Sequence, residues 1–206
     1  MITKNIFFDF DGVILDSMPV RAYGFRTIFK DFDTTLVDKL IKFHELNGGL
    51  SRFVKIRFFF EELLQKPIKD ETVITYADNF SLIMKEELSN HKYLIEETVD
   101  YIHNNFKDYN LHIVSGSEEN ELRYLCEKLN IDTYFKSIHG SPTHKNKLVE
   151  NLFLEYDYNK DETILIGDSI NDYEAAYING INFYGYNNDE LKEKSYTYID
   201  SFKNFK

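Results

Sequence analysis

The sequence predicts an α/β protein: a Rossmann-like, doubly wound parallel sheet with an all-helical domain inserted near its start. Three observations carry that prediction. Segments of strand length recur at residues 2–8, 111–114, 134–139, 163–166 and 181–184. From about residue 95 they alternate with stripes of helical spacing, which implies a sheet whose strands run parallel with helices on both faces. Residues 18–89 carry helical spacing without a strand between.

In chain order, the first strand is the apolar run that ends at Asp9, followed by a turn containing Gly12. Helical spacing then links Phe53, Ile56, Phe60 and Leu63, and next Val73, Ala77, Phe80, Met84 and Leu88. Within this block N47-G48-G49 interrupts the pattern and predicts a turn that uses the positive φ open to glycine and often to Asn. Pro67 separates two helices, and Gly24, inside a helical stretch, points to close helix packing. Beyond it, Ile95, Val99, Ile102 and Phe106 form a helix before the strand L111-H112-I113-V114. Leu122, Leu125, Cys126 and Leu129 mark a second helix, and Leu148, Leu152 and Tyr156 a third. The predicted boundaries are a sheet domain of residues 1–17 and 90–206 and a helical domain of residues 18–89.

Composition limits the function. A chain of 206 residues with 43% hydrophobic content, 15 Tyr and 18 Phe can bury a core and is unlike a disordered chain. Its net charge of -11 opposes nonspecific binding to nucleic acid or anionic membranes, so an anionic ligand needs a local source of attraction. The single Cys126 excludes a disulfide framework, and no His or Cys cluster has zinc spacing. The N-terminal apolar stretch is too short for a secretory core or a membrane span, so the expected location is the cytoplasm. Nothing in the sequence sets an oligomeric state.

In an open parallel sheet, ligands collect beyond the carboxyl ends of the strands. Asp9 and Asp11 follow the first strand, Ser115-Gly116-Ser117 the second, Lys145 the third and Gly167-Asp168 the fourth. Two carboxylates so close at the end of an apolar run would repel each other unless a cation joins them. Asp9, Asp11 and Asp168 form a hard oxygen-donor set suited to Mg2+, and Asp172, one helical turn beyond Asp168, could orient a metal-bound water. A calcium loop is excluded by spacing: Gly12 is fourth from Asp9 where a sixth-position glycine is needed, and residue 20 is Val rather than Glu.

The ordered set D9-F10-D11-G12-V13, I113-V114-S115-G116, Lys145 and G167-D168-S169-I170-N171-D172 resembles the haloacid dehalogenase superfamily, in particular its phosphoglycolate phosphatase-like magnesium-dependent phosphatases. The resemblance covers almost the whole chain and makes the helical domain a cap. It implies Asp9 as the nucleophile, forming an aspartyl phosphate, and Asp11 as the acid and then base. It also implies Ser115, Gly116 and Lys145 as the phosphate-binding groups, with Lys147 the nearby alternative to Lys145. Asp9, Asp11, Asp168 and Asp172 become the metal site. N47-G48-G49-L50-S51-R52 resembles a cap specificity loop, which makes Gly49 and Arg52 candidate substrate contacts. Lys55 shares a helical face with Arg52.

Read alone, Ser115 is a helix-capping hydroxyl, Lys145 a surface charge, and His44 and His91 surface or satisfied histidines. The order of the set favours hydrolysis of a small phosphorylated metabolite. A phosphosugar mutase or a phosphate- and Mg2+-binding switch protein are the alternatives. Asp11 weighs against dehalogenation, which would not use a second aspartate, and nothing marks Lys55 for phosphonate chemistry.

Overall fold

A computed structural model describes residues 3–205. Six parallel strands form one sheet: β1 (Asn5–Phe8), β2 (Asn110–Glu118), β3 (Ser137–Ser141), β4 (Thr163–Gly167), β5 (Asn182–Tyr186) and β6 (Thr197–Ile199), in the order β3-β2-β1-β4-β5-β6. This is the strand order of a doubly wound nucleotide-binding sheet, as the alternation of strand and helix predicts. The predicted first strand starts at residue 2, and Ile2 lies outside the described residues.

β1 is central, with Phe8 in register with Ile113 of β2 and Ile166 of β4. Its alternating side chains fill two cores. Ile6 and Phe8 pack on the side of α5 (Glu96–Asn105) and α6 (Glu119–Lys128), and Phe7 on the side of α7 (Lys145–Tyr156) and α8 (Ile170–Asn179). Both faces are covered, which explains why these strands read as apolar runs rather than as alternating ones.

The third strand begins at Ser137, because Asp132–Tyr134 form a 3-10 turn where the sequence predicts strand. β6 was not predicted. It is three residues long, carries no apolar run, and forms by pairing Thr197, Tyr198 and Ile199 with Tyr184, Gly185 and Tyr186 at the sheet edge.

Between β1 and α5 lie four helices: α1 (Met18–Ile28), α2 (Thr34–Leu46), α3 (Arg52–Phe58) and α4 (Asp70–Glu87). α3 continues into a π-helical turn at Phe59–Leu63, where Phe29, Phe59, Phe60 and Tyr76 stack into one aromatic cluster. Gly24 fits α1 against α4: a Cβ there would lie 2.5 Å from Met84 Cε and 2.9 Å from the Phe80 ring. The chain leaves and re-enters the sheet side by side. Asp16 N donates to Tyr93 O at 2.8 Å and Ile95 N to Ile14 O at 2.9 Å.

The predicted glycine turn forms, but for another reason. Only Gly12 and Gly180 among the described glycines take positive φ, while Asn47 sits at φ -129. Gly49 is needed for close approach, since a Cβ there would lie 2.7 Å from Ser169 Oγ and 2.9 Å from Asn171 Cβ.

Candidate active site

The carboxyl edge of the sheet gathers the polar residues of four strands. The Asp9 amide extends the ladder by donating to Ile166 O at 2.9 Å, after which Gly12, at φ +75, turns the chain back. A Cβ on Gly12 would lie 1.9 Å from Asp168 Oδ2, so the β1 turn and the end of β4 come together only because this residue is glycine. Gly167 plays the same part beneath Asp172, where a Cβ would meet Asp172 Cβ at 2.3 Å.

Carboxylate oxygens of Asp9, Asp168 and Asp172 lie within 4.8 Å of one another. Lys145, at the first turn of α7, places Nζ 3.0 Å from Asp9 Oδ1 and bonds Asp172 Oδ1. Lys147 points elsewhere, pairing with the exposed Glu150 at 2.8 Å. Asp172 also accepts from Ser169 N at 3.0 Å and Ser169 Oγ at 2.5 Å, which locks the start of α8. Burial and the charge of Asp172 push Asp9 up to about 7, against the lowering effect of Lys145. Burial and then Asp9 raise Asp168 as well. Lys145 pays its own desolvation and is still held above its ordinary value by Asp172 and Asp9. A trio of carboxylates, Asp9 and Asp172 buried and Asp168 partly exposed, with a single ammonium is short of positive charge, and its all-oxygen donor set fits a hard divalent cation.

Asp11 faces another way. Its Oδ1 accepts from Arg21 Nε at 2.6 Å and from Ser17 Oγ, and its Oδ2 accepts from Ser117 Oγ at 2.6 Å. Burial raises its pKa, but Arg21 and these hydrogen bonds outweigh burial and hold it below the usual carboxylate value. The repulsion expected between the two neighbouring acids is therefore relieved by two protein cations, Lys145 for Asp9 and Arg21 for Asp11.

Ser115 is buried near the end of β2, where its Oγ accepts from Ser117 N at 3.1 Å. The next residue, Gly116, abuts the turn after α2: a Cβ on it would lie 2.2 Å from Gly49 O. Arg52 reaches α6 by donating to Glu121 Oε2 at 2.5 Å, and its guanidinium lies 4.7 Å from the Phe80 ring centre. Glu121 also accepts from Arg21 Nη1 at 3.2 Å. Beside Arg52, Lys55 is buried, with Nζ 2.9 Å from His44 Nδ1 and 3.1 Å from Gly48 O. His44 is buried, with Nδ1 beside Lys55 Nζ but Nε2 without a hydrogen-bond partner, so it is only half satisfied, whereas His91 is exposed.

The sequence reading missed Ser17, Arg21, Ser117 and Glu121. Arg21 left a usable signal, because it lies three and four residues before the buried Gly24 and Phe25 and is thus a basic residue on the apolar face of α1. The importance of Glu121 depends on partners from α1 and α3, and no local pattern shows it.

Fold and site together define an α/β protein with an acidic, oxygen-donor centre at the carboxyl edge of its sheet. The chain belongs to the haloacid dehalogenase-like hydrolase family, whose sequence profile matches residues 6–186. Its structure is similar to that of β-phosphoglucomutase from Clostridium difficile, at 16% identity and TM-score 0.80 over 100% of this chain and 94% of the other. It is also similar to the HAD-hydrolase YfnB from Bacillus subtilis, a structure bound to magnesium, at 18% identity and TM-score 0.74 over 98% and 96%. A predicted phosphoglycolate phosphatase from Haemophilus somnus matches at 18% identity and TM-score 0.73 over 97% and 95%. A search of curated proteins finds no match. Among the described residues, no helix is long and apolar enough to cross a membrane.

Proposed function

We propose that this hydrolase is a Mg2+-dependent phosphatase acting on a small phosphorylated metabolite through an aspartyl phosphate on Asp9. The observation that carries this reading is the group of Asp9, Asp168 and Asp172 gathered beside one buried lysine, at the strand ends where ligands bind such sheets. In it, Asp9 Oδ attacks phosphorus while the bond to the leaving oxygen breaks and that oxygen takes a proton from Asp11. Water then attacks the phosphoryl group on Asp9 as Asp11 takes its proton, releasing inorganic phosphate and restoring Asp9. Ser115, the Gly116 amide and Lys145 hold the phosphoryl oxygens.

Asp9, Asp168 and Asp172 would hold Mg2+, with Asp11 at the edge of the site, and the ion would supply charge neutralisation between phosphate and nucleophile. Asp11 rests in its ionised form on Arg21, ready for the second step. To act as the acid of the first step, Asp11 takes up a proton from solvent as its bond to Arg21 opens. Residues 18–89 serve as a cap over a core of residues 1–17 and 90–206, with Gly49 and Arg52 facing the substrate. Such a cap excludes bulky phosphoproteins and shields the reacting centre.

Phosphate release from phosphosugars, short phosphocarboxylates, nucleoside monophosphates and an aryl phosphate tests the reading. Release that needs Mg2+, stops with EDTA and falls by at least about 10³-fold in Asp9→Asn supports it. Phosphate moved to a second hydroxyl of the same sugar, without net release, would identify a mutase instead. A lasting phosphorylated Asp9 without turnover would identify a switch.

A further inference from the structure

Beneath α5, at the amino end of the sheet and away from Asp9, lies a cavity of about 270 Å³. Its floor is Ile6 of β1 and Ile164 of β4, which are in register with each other. Tyr101, Tyr109, Tyr184 and Phe205 wall it. The Phe205 ring centre lies 5.2 Å from that of Tyr101 and 5.9 Å from that of Tyr184, with the ring planes inclined by 51° and 77°. Three rings set at such angles make the sides of a box rather than a stack. Two threonines complete the lining, so among the described residues it carries no charged or imidazole group.

We propose that this cavity is an aromatic cage for a small quaternary ammonium solute, a site separate from the catalytic edge and independent of the phosphatase reading. The face of an aromatic ring carries the negative lobe of its quadrupole and attracts a cation, most strongly where water is excluded. Four rings converge on this one space, and the net charge of -11 draws cations toward the protein at long range. An anion finds no counter-charge in the cavity. Burial and the neighbouring Tyr109 hold the Tyr101 phenol well above its ordinary pKa, which keeps that wall neutral. A primary ammonium would give up water for few acceptors, because Tyr101 and Tyr109 spend a hydrogen bond on each other, whereas a fully methylated nitrogen has no N–H to satisfy. The volume lies just under the roughly 300–1,000 Å³ of drug-sized sites, which restricts the ligand to a small one. Tyr101 is only 7% exposed, so the innermost wall is reached by a free solute and not by a headgroup still held in a bilayer.

Titration of the full chain with choline and with its neutral carbon isostere 3,3-dimethylbutan-1-ol, followed by proton NMR of each ligand, tests this directly. Choline is expected to bind at least about tenfold more tightly than the isostere, with its N-methyl signal moved upfield by the surrounding rings. Tyr184→Leu and Phe205→Leu each keep an apolar wall and remove a ring, and each is expected to bring the ratio below about threefold. Circular dichroism checks that both variants fold, and the wild-type ratio decides the matter if they do not. Equal affinities for the two compounds, no binding of choline, a ratio unchanged in both folded variants, or binding of phosphatidylcholine vesicles in place of free choline overturns the cage.

Discussion

Asp9 and Asp11 stand two positions apart in the chain yet depend on cations from different parts of the fold, Lys145 on α7 and Arg21 on α1. Removing one partner of a buried pair leaves a charge that is neither solvated nor neutralised. Arg21→Met, which strands Asp11 and leaves Glu121 with Arg52 alone, is therefore expected to destabilise the protein by about 3–5 kcal/mol in urea denaturation. Gly12→Ala combines a positive φ with a Cβ pushed into Asp168, and should lose about 2 kcal/mol or more together with activity. Asp9, Asp11, Ser115, Lys145, Asp168 and Asp172 could be picked out in the sequence because chemistry-bearing residue types follow strand ends. Glu121 could not, because it acquires its partners only when the insertion docks, and Arg21 showed only as a basic residue on the apolar face of α1.

At the scale of elements, the apolar stripes predicted the helices well, since burial of one face is what fixes them. Edges were less legible. β6 is held by backbone pairing and has no hydrophobic run of its own, and β3 starts late because a 3-10 turn takes the residues before it. α1 and α4 are packed closely enough that Gly24→Ala is expected to cost about 1–3 kcal/mol by overpacking, read as a lower urea midpoint with an unchanged m-value. On β2, His112 is buried between Ser137 Oγ at 2.6 Å and Tyr158 OH at 3.0 Å. Burial lowers its pKa from 6.5 to about 3. The unfolded chain takes up this proton below pH 6.5 while the folded protein does not until about 3, so stability falls as the pH drops through that window. The slope from this group is about 1.4 kcal/mol per pH unit. In His112→Gln, the loss of unfolding free energy between about pH 6 and pH 4 should be smaller by about 2–3 kcal/mol.

For the molecule as a whole, the sheet order places β1 at the centre, so its carboxyl end lies between those of β2 and β4, and the insertion after β1 lies above that edge. The fold class was legible because alternating elements with two covered faces have few solutions. The contact between the insertion and the sheet domain was not, because it rests on the close approach of Gly49 to Gly116 and on ion pairs from Arg21 and Arg52 to Asp11 and Glu121, which join residues far apart in the chain. An ion held by Asp9, Asp168 and Asp172 binds the folded state alone. Mg2+ at 100 times its dissociation constant should therefore add about 2.7 kcal/mol of stability, seen as a rise in Tm that is lost in Asp168→Asn.

The central claim is that Asp9 carries the phosphoryl group. The measurement that tests it most directly is intact-protein and peptide mass spectrometry after acid quench within one turnover of a hydrolysed ester. A single added phosphoryl group that maps to the peptide containing Asp9, and is absent in Asp9→Asn, is the expected result. Phosphate release by Asp9→Asn at the wild-type rate, or a phosphoryl group on any other residue, would contradict it.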